Sequence, residues 1–177
     1  MLFSVSQFPL FISMRHLIKL VFVFTLLGCK DESEKTHLPS SVYNYVKIDT
    51  AKLLKKHSVY VPVYSHIYAK SGTSVIYLTT TLSIRNTSFV DSFYVTDVTY
   101  YGSQGEILKR YINSTLLVKP MSSIEFVVER TESKGGAGAN FVVKWGANTS
   151  TSEPLIQTLM TEPSTGTSFI SNGVEMK

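Results

Sequence analysis

Ile124-Glu125-Phe126-Val127-Val128-Glu129 decides the fold class. Successive side chains of an extended chain point to opposite faces. Ile124, Phe126 and Val128 therefore form one apolar row, opposite Glu125, Val127 and Glu129, and the segment reads as a half-buried strand. The same period of two recurs on both sides of it. Val59, Val61 and Val63 alternate with Tyr60, Pro62 and Tyr64, and Ile76, Leu78, Leu82 and Ile84 share one phase of residues 74–85. Phe141, Val143 and Trp145 oppose Val142 and Lys144, while Leu155, Gln157 and Leu159 oppose Ile156, Thr158 and Met160. Residues 93–101 are aromatic and β-branched and stop at Gly102 and Gly105. No run from Ser58 onward sustains a helical period. About 7–9 short strands with turn residues between them predict an all-β domain, a single antiparallel immunoglobulin-like β-sandwich over residues 58–177. Pro62 has no N–H to give a ladder, so it is expected at an edge strand or a bulge.

Composition agrees with a packed domain. Of 177 residues, 44% are hydrophobic, 12% aromatic and 17% charged, against roughly 25% charged in average globular proteins. That apolar content excludes disorder over most of the length. One cysteine excludes an intrachain disulfide framework and any multi-cysteine metal site. The formal charge of +4 falls to +2 when Arg15 and Lys19 of the N-terminal segment are set aside. The densest basic group, Lys52, Lys55 and Lys56, falls in a predicted short helix from Asp49 to His57 and reads as a solvated face. No nucleic-acid partner is expected, since that would want a concentrated basic surface.

The N-terminus reads as an address. From Met14, a candidate true start, Met-Arg-His-Leu-Ile-Lys is followed by the apolar run Leu20–Leu27 and by Gly28-Cys29. Eight apolar residues fall well short of the ~20 that span a bilayer, so the pattern is a signal rather than a membrane helix. Leu26-Leu27-Gly28-Cys29 resembles the lipobox of bacterial lipoproteins. In that class the signal, here residues 1–28, is cut away and the cysteine thiol is acylated. The expected anchor is thus a bilayer holding acyl chains on Cys29, followed by a polar tether over residues 29–57. Lys30-Asp31-Glu32 resembles the export signal that sends some bacterial lipoproteins to the outer face of the outer membrane. The expected location is the cell envelope, lipid-anchored at the outer membrane, with surface exposure if that signal is read.

Several phrases carry a wider resemblance. They are Val61-Pro62-Val63-Tyr64-Ser65-His66-Ile67-Tyr68, Thr81-Leu82-Ser83-Ile84-Arg85-Asn86-Thr87 and Val98-Thr99-Tyr100-Tyr101-Gly102-Ser103-Gln104-Gly105. Leu117-Val118-Lys119-Pro120-Met121, Gly135-Gly136-Ala137-Gly138-Ala139-Asn140-Phe141 and Thr167-Ser168-Phe169 follow in order. Together they resemble the bacterial domain of unknown function 3124 family of lipoproteins over residues 59–174. Ala137 stands where the family pattern suggests serine. The resemblance implies a fold and an envelope location and carries no activity.

Candidate sites are few. Lys134, Gly135, Gly136, Gly138 and Asn140 form a glycine-rich loop whose N–H groups are able to face an anion. It leads into a strand, however, where a phosphate loop opens a helix, so a hairpin connection between Val128 and Phe141, or a tight bulge, is the favoured reading over an anion site. Arg85, Tyr100 and Tyr101 are candidate pocket residues, although pairing with Asp91 or Asp97 across a hairpin is the favoured reading of Arg85. His66 has no partner histidine at ligand spacing, so no metal and no cofactor are expected. Asp91 with Asp97, and Glu125 with Glu129, are same-phase carboxylates able to share acid–base work. Trp145 reads as core, with a sugar-stacking patch as the alternative. No catalytic residue is assigned. The expected function is a non-enzymatic binding or interaction module that meets an envelope protein or a small ligand. An assembly accessory pairing through the edge strand that carries Pro62 is the second reading, and a carboxylate-dependent hydrolase the third.

Overall fold

The computed structural model describes residues 43–148 and 151–177. The predicted signal, Cys29, Lys30-Asp31-Glu32 and the tether as far as residue 42 lie outside the described residues. The rest is an antiparallel sandwich, as the alternation predicts. Its first sheet runs in the order β1 (Tyr45–Val46), β8 (Thr115–Val118), β6 (Phe93–Tyr101), β10 (Asn140–Ala147), β2 (Lys55–Pro62), β13 (Val174–Glu175), and β7 (Ile107–Arg110) also pairs with β6. The second sheet runs β12 (Thr167–Asn172), β11 (Leu155–Glu162), β5 (Thr79–Arg85), β9 (Ser123–Val128). A hairpin of β3 (His66–Ala69) and β4 (Ser74–Tyr77) stands apart.

Residues 124–129 alternate as expected: Ile124, Phe126 and Val128 are buried, and Glu125 and Val127 are exposed. Across the sandwich they meet Val61, Phe93, Val95, Phe141, Val143 and Trp145. Rings lock the centre, with Phe93 edge-on to Trp145 at 5.7 Å and Tyr43 stacked on Phe126 at 5.4 Å. Aromatic pairs of this kind add about 0.5–1.5 kcal/mol each beyond the area they bury.

Four expectations change in detail. Thirteen strands are described where about 7–9 were expected, because long runs break. Residues 74–85 divide at Leu78, whose N–H leaves the ladder to reach the Ser65 carbonyl at 2.9 Å. The packed domain also starts before Ser58, since Lys55, Lys56 and His57 pair with Ala147, Gly146 and Trp145. The predicted helix shrinks to a 3-10 turn, Thr50–Lys52, capped by the Asp49 carboxylate on Ala51 N at 3.1 Å. Leu53 then returns to extended geometry and is buried, which ends the turn. Pro62 lies one strand in from the edge, and β13 pairs only with Val59 and Tyr60 of β2. Ser58 and Tyr60 turn their polar backbone toward β13, so Pro62, two residues on, needs a donor only where β13 has already stopped. Its carbonyl accepts from the buried Thr158 hydroxyl at 2.8 Å.

Two turns close the sheets. Gly173 N donates to Ile156 O at 2.8 Å as the chain leaves β12 for β13, so one strand passes from the second sheet to the first. Between β11 and β12, Glu162 is 1% exposed and accepts from Ser164 Oγ at 2.6 Å and Thr165 N at 2.7 Å, with Arg130 Nη1 3.1 Å away. The Ser164 and Thr165 hydrogen bonds hold its carboxyl down at about 2, against an ordinary 4.5.

Candidate functional site

Trp145 of β10 and His57 of β2 are cross-strand partners, so their side chains leave the sheet on one face. The imidazole lies flat on the indole, with centroids 4.6 Å apart and planes 14° from parallel. Trp145 is 3% exposed, and His57 is its half-open cover. On the other side of β2, β13 places the Glu175 carboxylate in a short contact with His57 Nδ1. A carboxylate there holds the ring in one orientation over the indole.

A cleft lies on either side of this stack. One, of about 150 Å³, is bounded by His57, Trp145, Glu153, Leu155, Asn172 and Glu175. Two carboxylates and an imidazole give it acceptors, and Val59, Pro154 and Ile156 supply an apolar wall. The other, of about 290 Å³, is bounded by Leu53, Lys56, His57, Thr96, Lys144 and Trp145. Its two lysines are engaged, Lys56 Nζ on Ala51 O at 2.9 Å and Lys144 Nζ with Asp97 Oδ2 at 3.7 Å. The first cleft suits a donor-bearing group, because ionised carboxylates repel anions and accept hydrogen bonds from amines or hydroxyls.

The residues singled out from sequence do not converge. The glycine-rich loop and Tyr100 do meet, but in a structural role. Gly136 O accepts from Ser65 N and Oγ, both at 3.0 Å, and Gly135 O accepts from Ser103 N at 2.9 Å and Oγ at 2.8 Å. Gly138 N is taken by Ser103 Oγ at 2.9 Å. Gly135 is glycine because a Cβ there would collide with the Tyr100 hydroxyl, and Gly136 adopts φ +79. Asn140 opens β10 between Pro62 and Tyr101, Tyr101 is half-buried and Lys134 exposed. Tyr100 is core: its ring tilts on Phe141 at 5.0 Å, and burial, then Glu132, push its hydroxyl up to about 12. Arg85 sits at the other end of the sandwich, with Nε on Ser83 Oγ at 3.0 Å, and lines a separate hollow of about 320 Å³.

Other candidates resolve similarly. Asp97 lies between Arg110 and Lys144, each at 3.7 Å, and Glu125 faces out from the sheet. His66 is half-buried, edge-on to Tyr68 and Tyr77. Among the described residues there is no group of three or more histidines, cysteines or acids able to hold a metal, and no helix long and apolar enough to cross a membrane. From sequence, His57 falls at the end of the polar tether. One more step of the Val63, Val61, Val59 row would have placed it on the inner face beside Trp145. Glu175 carried no signal, because only the fold brings it to β2.

A protein-family model, described as a protein of unknown function (DUF3124), matches residues 56–176. No curated protein and no solved structure gives a match.

Proposed function

We propose that this chain, which belongs to the DUF3124 family, is a lipid-anchored protein of the bacterial envelope whose sandwich binds a small donor-bearing ligand, an amine or a polyol, beside His57 and Trp145. One observation carries the binding reading: an aromatic floor, an imidazole and two glutamates line a single cleft. Sites for small ligands commonly pair such an apolar wall with a few placed polar groups. Among the described residues no hydroxyl, thiol or amine side chain borders the cleft, which favours reversible binding over covalent chemistry through such groups. A carboxylate-dependent hydrolase is the second reading, because Glu153 and Glu175 share the cleft. It predicts turnover that Glu153→Gln abolishes, where the binding reading predicts only weaker affinity.

Trp145 is the single tryptophan, so its emission reports the cleft directly. Titration with primary amines such as ethanolamine and spermidine, and with neutral hexoses, should give a saturable change in emission for one class. Glu153→Gln should raise the Kd about tenfold, the loss of one charge-assisted hydrogen bond. A flat response to every compound refutes the reading. Acylation is supported by the lipobox pattern alone. Cys29→Ser should leave an uncut precursor that no longer partitions with membranes, and unchanged membrane extraction overturns the anchor. The envelope address at Lys30-Asp31-Glu32 is checked by protease shaving of intact cells, which should remove the domain if it faces outward.

A further inference from the structure

The loops at one end of the sandwich hold apolar side chains out into solvent. Phe89 is 82% exposed, Val90 80% and Met121 61%. Their exposure is built. Asn86, buried, donates from Nδ2 to Asp91 O at 2.8 Å and to Val118 O at 3.2 Å, and its Oδ1 accepts from Ser88 N at 2.9 Å. Ser88 Oγ accepts from Val90 N and Asp91 N, and Ser88 O accepts from Met121 N at 3.1 Å. Met121 itself holds φ +57, a left-handed conformation that a non-glycine residue adopts only when its surroundings impose it. Two loops are thus tied into one rigid apolar tip.

The chain enters the fold at the same end. β1 runs antiparallel to β8, and Asn44 O accepts from Leu117 N at 2.9 Å, so going back from Tyr45 the chain runs toward Lys119. Tyr43 and Asn44 border a hollow of about 490 Å³ with Lys119, Ser122 and Ser123. The last two also border the hollow under Phe89 and Met121. Arg85 and Lys119, both exposed, flank the tip; the acids on neighbouring segments are Asp91 within the loop, Glu153, whose carbonyl accepts from Thr87 Oγ1, and Glu125, whose carbonyl accepts from Tyr43 Oη. Only thirteen residues lie between Cys29 and Tyr43, a reach of at most about 50 Å fully extended.

We infer that this tip docks on the bilayer that anchors Cys29. Phe89, Val90 and Met121 enter the headgroup boundary, and Arg85 and Lys119 meet lipid phosphates. The inference rests on the acylation of Cys29 proposed above. The domain then stands on the membrane in a fixed orientation, with the glycine-rich loop and the β3–β4 hairpin pointing away.

The test uses the full acylated chain in vesicles of phosphatidylethanolamine and phosphatidylglycerol. Acylation blocks the only native thiol, so a polarity-sensitive dye on Phe89→Cys reports one site. Tyr68→Cys, in β3 and 65% exposed, is the comparison. The dye at position 89 should shift to the blue and be quenched by nitroxide-labelled lipid at least about twofold more than the dye at 68. Equal, solvent-like signals on protein that floats with the vesicles overturn the docking and leave the anchor standing. A shift at 89 that grows with protein concentration in the absence of vesicles assigns the tip to a second copy and overturns it too. Failure to float removes the anchor and the docking with it.

Discussion

Gly135→Ala separates the two roles open to the glycine-rich loop. The added methyl would stand 3.0 Å from Tyr100 Cζ and 3.1 Å from Ala139 Cβ, and would overlap the Tyr100 hydroxyl. Ordinary carbon contacts lie near 3.5–4.0 Å. Tyr100 is closed in by Phe141 and cannot swing into solvent, so the backbone of the loop must move. Overpacking of this size costs about 1–3 kcal/mol. For a domain of this length each kcal/mol moves Tm by about 3–5 °C, so Tm should fall by about 3–15 °C. Tyr100→Phe supplies the control. Its hydroxyl is buried without a hydrogen-bond partner, so removing it should be neutral or stabilising by up to about 1 kcal/mol. In the double variant the overlap is relieved, and the loss should be smaller than the sum by about 1 kcal/mol. Thermal and urea unfolding of the full chain in detergent, followed by far-ultraviolet circular dichroism, measures all four proteins. An unchanged Tm in Gly135→Ala, or strict additivity in the double variant, refutes the packing account. Unchanged stability with altered ligand titration would return the loop to a binding role.

Other outcomes follow from single residues. Because the Glu162 carboxyl is lowered in the folded state, that state binds fewer protons, and stability rises with pH across the window. The contribution is complete above about 4.5 and is lost as pH falls through about 2. Glu162→Gln should therefore flatten the acid side of a plot of urea midpoint against pH, and an unchanged profile counts against the turn. Tyr100 has the opposite sign: its stabilisation holds below pH 10 and fades as pH rises to about 12, so Tyr100→Phe should resist alkaline unfolding better than the parent. Thr158→Val should cost about 1–2 kcal/mol by leaving Pro62 O unpaired, measured as a lower urea midpoint at unchanged slope. Glu175→Gln should free the His57 ring, raising acrylamide quenching of Trp145 at neutral pH, and identical quenching would mean the pair does not cover the indole.

Alternation carried most of the fold because half-buried strands write their inner face directly into the sequence. β9, β10 and β11 were legible residue by residue. The short pieces were not. β13 has two residues and is held by β2, so nothing local distinguishes Val174–Glu175 from a loop. The break at Leu78 was hidden because the apolar phase continues through it while the backbone changes partner. The glycine run was legible as a connection into β10, but the partners that hold it were not. Serines at 65 and 103 consume the polar groups that looked available, and those contacts span 71 and 32 residues of sequence. His57 shows the same limit, since a histidine after three lysines reads as solvated until β10 supplies a tryptophan beneath it.

The cleft joins His57 in the first long strand to Glu175 in the last, residues 118 apart. Neither half has a site alone. A polypeptide emerging N-terminus first presents β2 early, yet that strand waits for β10 on one side and for β13 on the other. Such non-local closure is slow compared with local turns. The cleft thus doubles as proof of completion: a chain cut or stalled before Glu175 keeps the Trp145 floor but cannot lock its cover, and a ligand of the finished site would select whole molecules from unfinished ones.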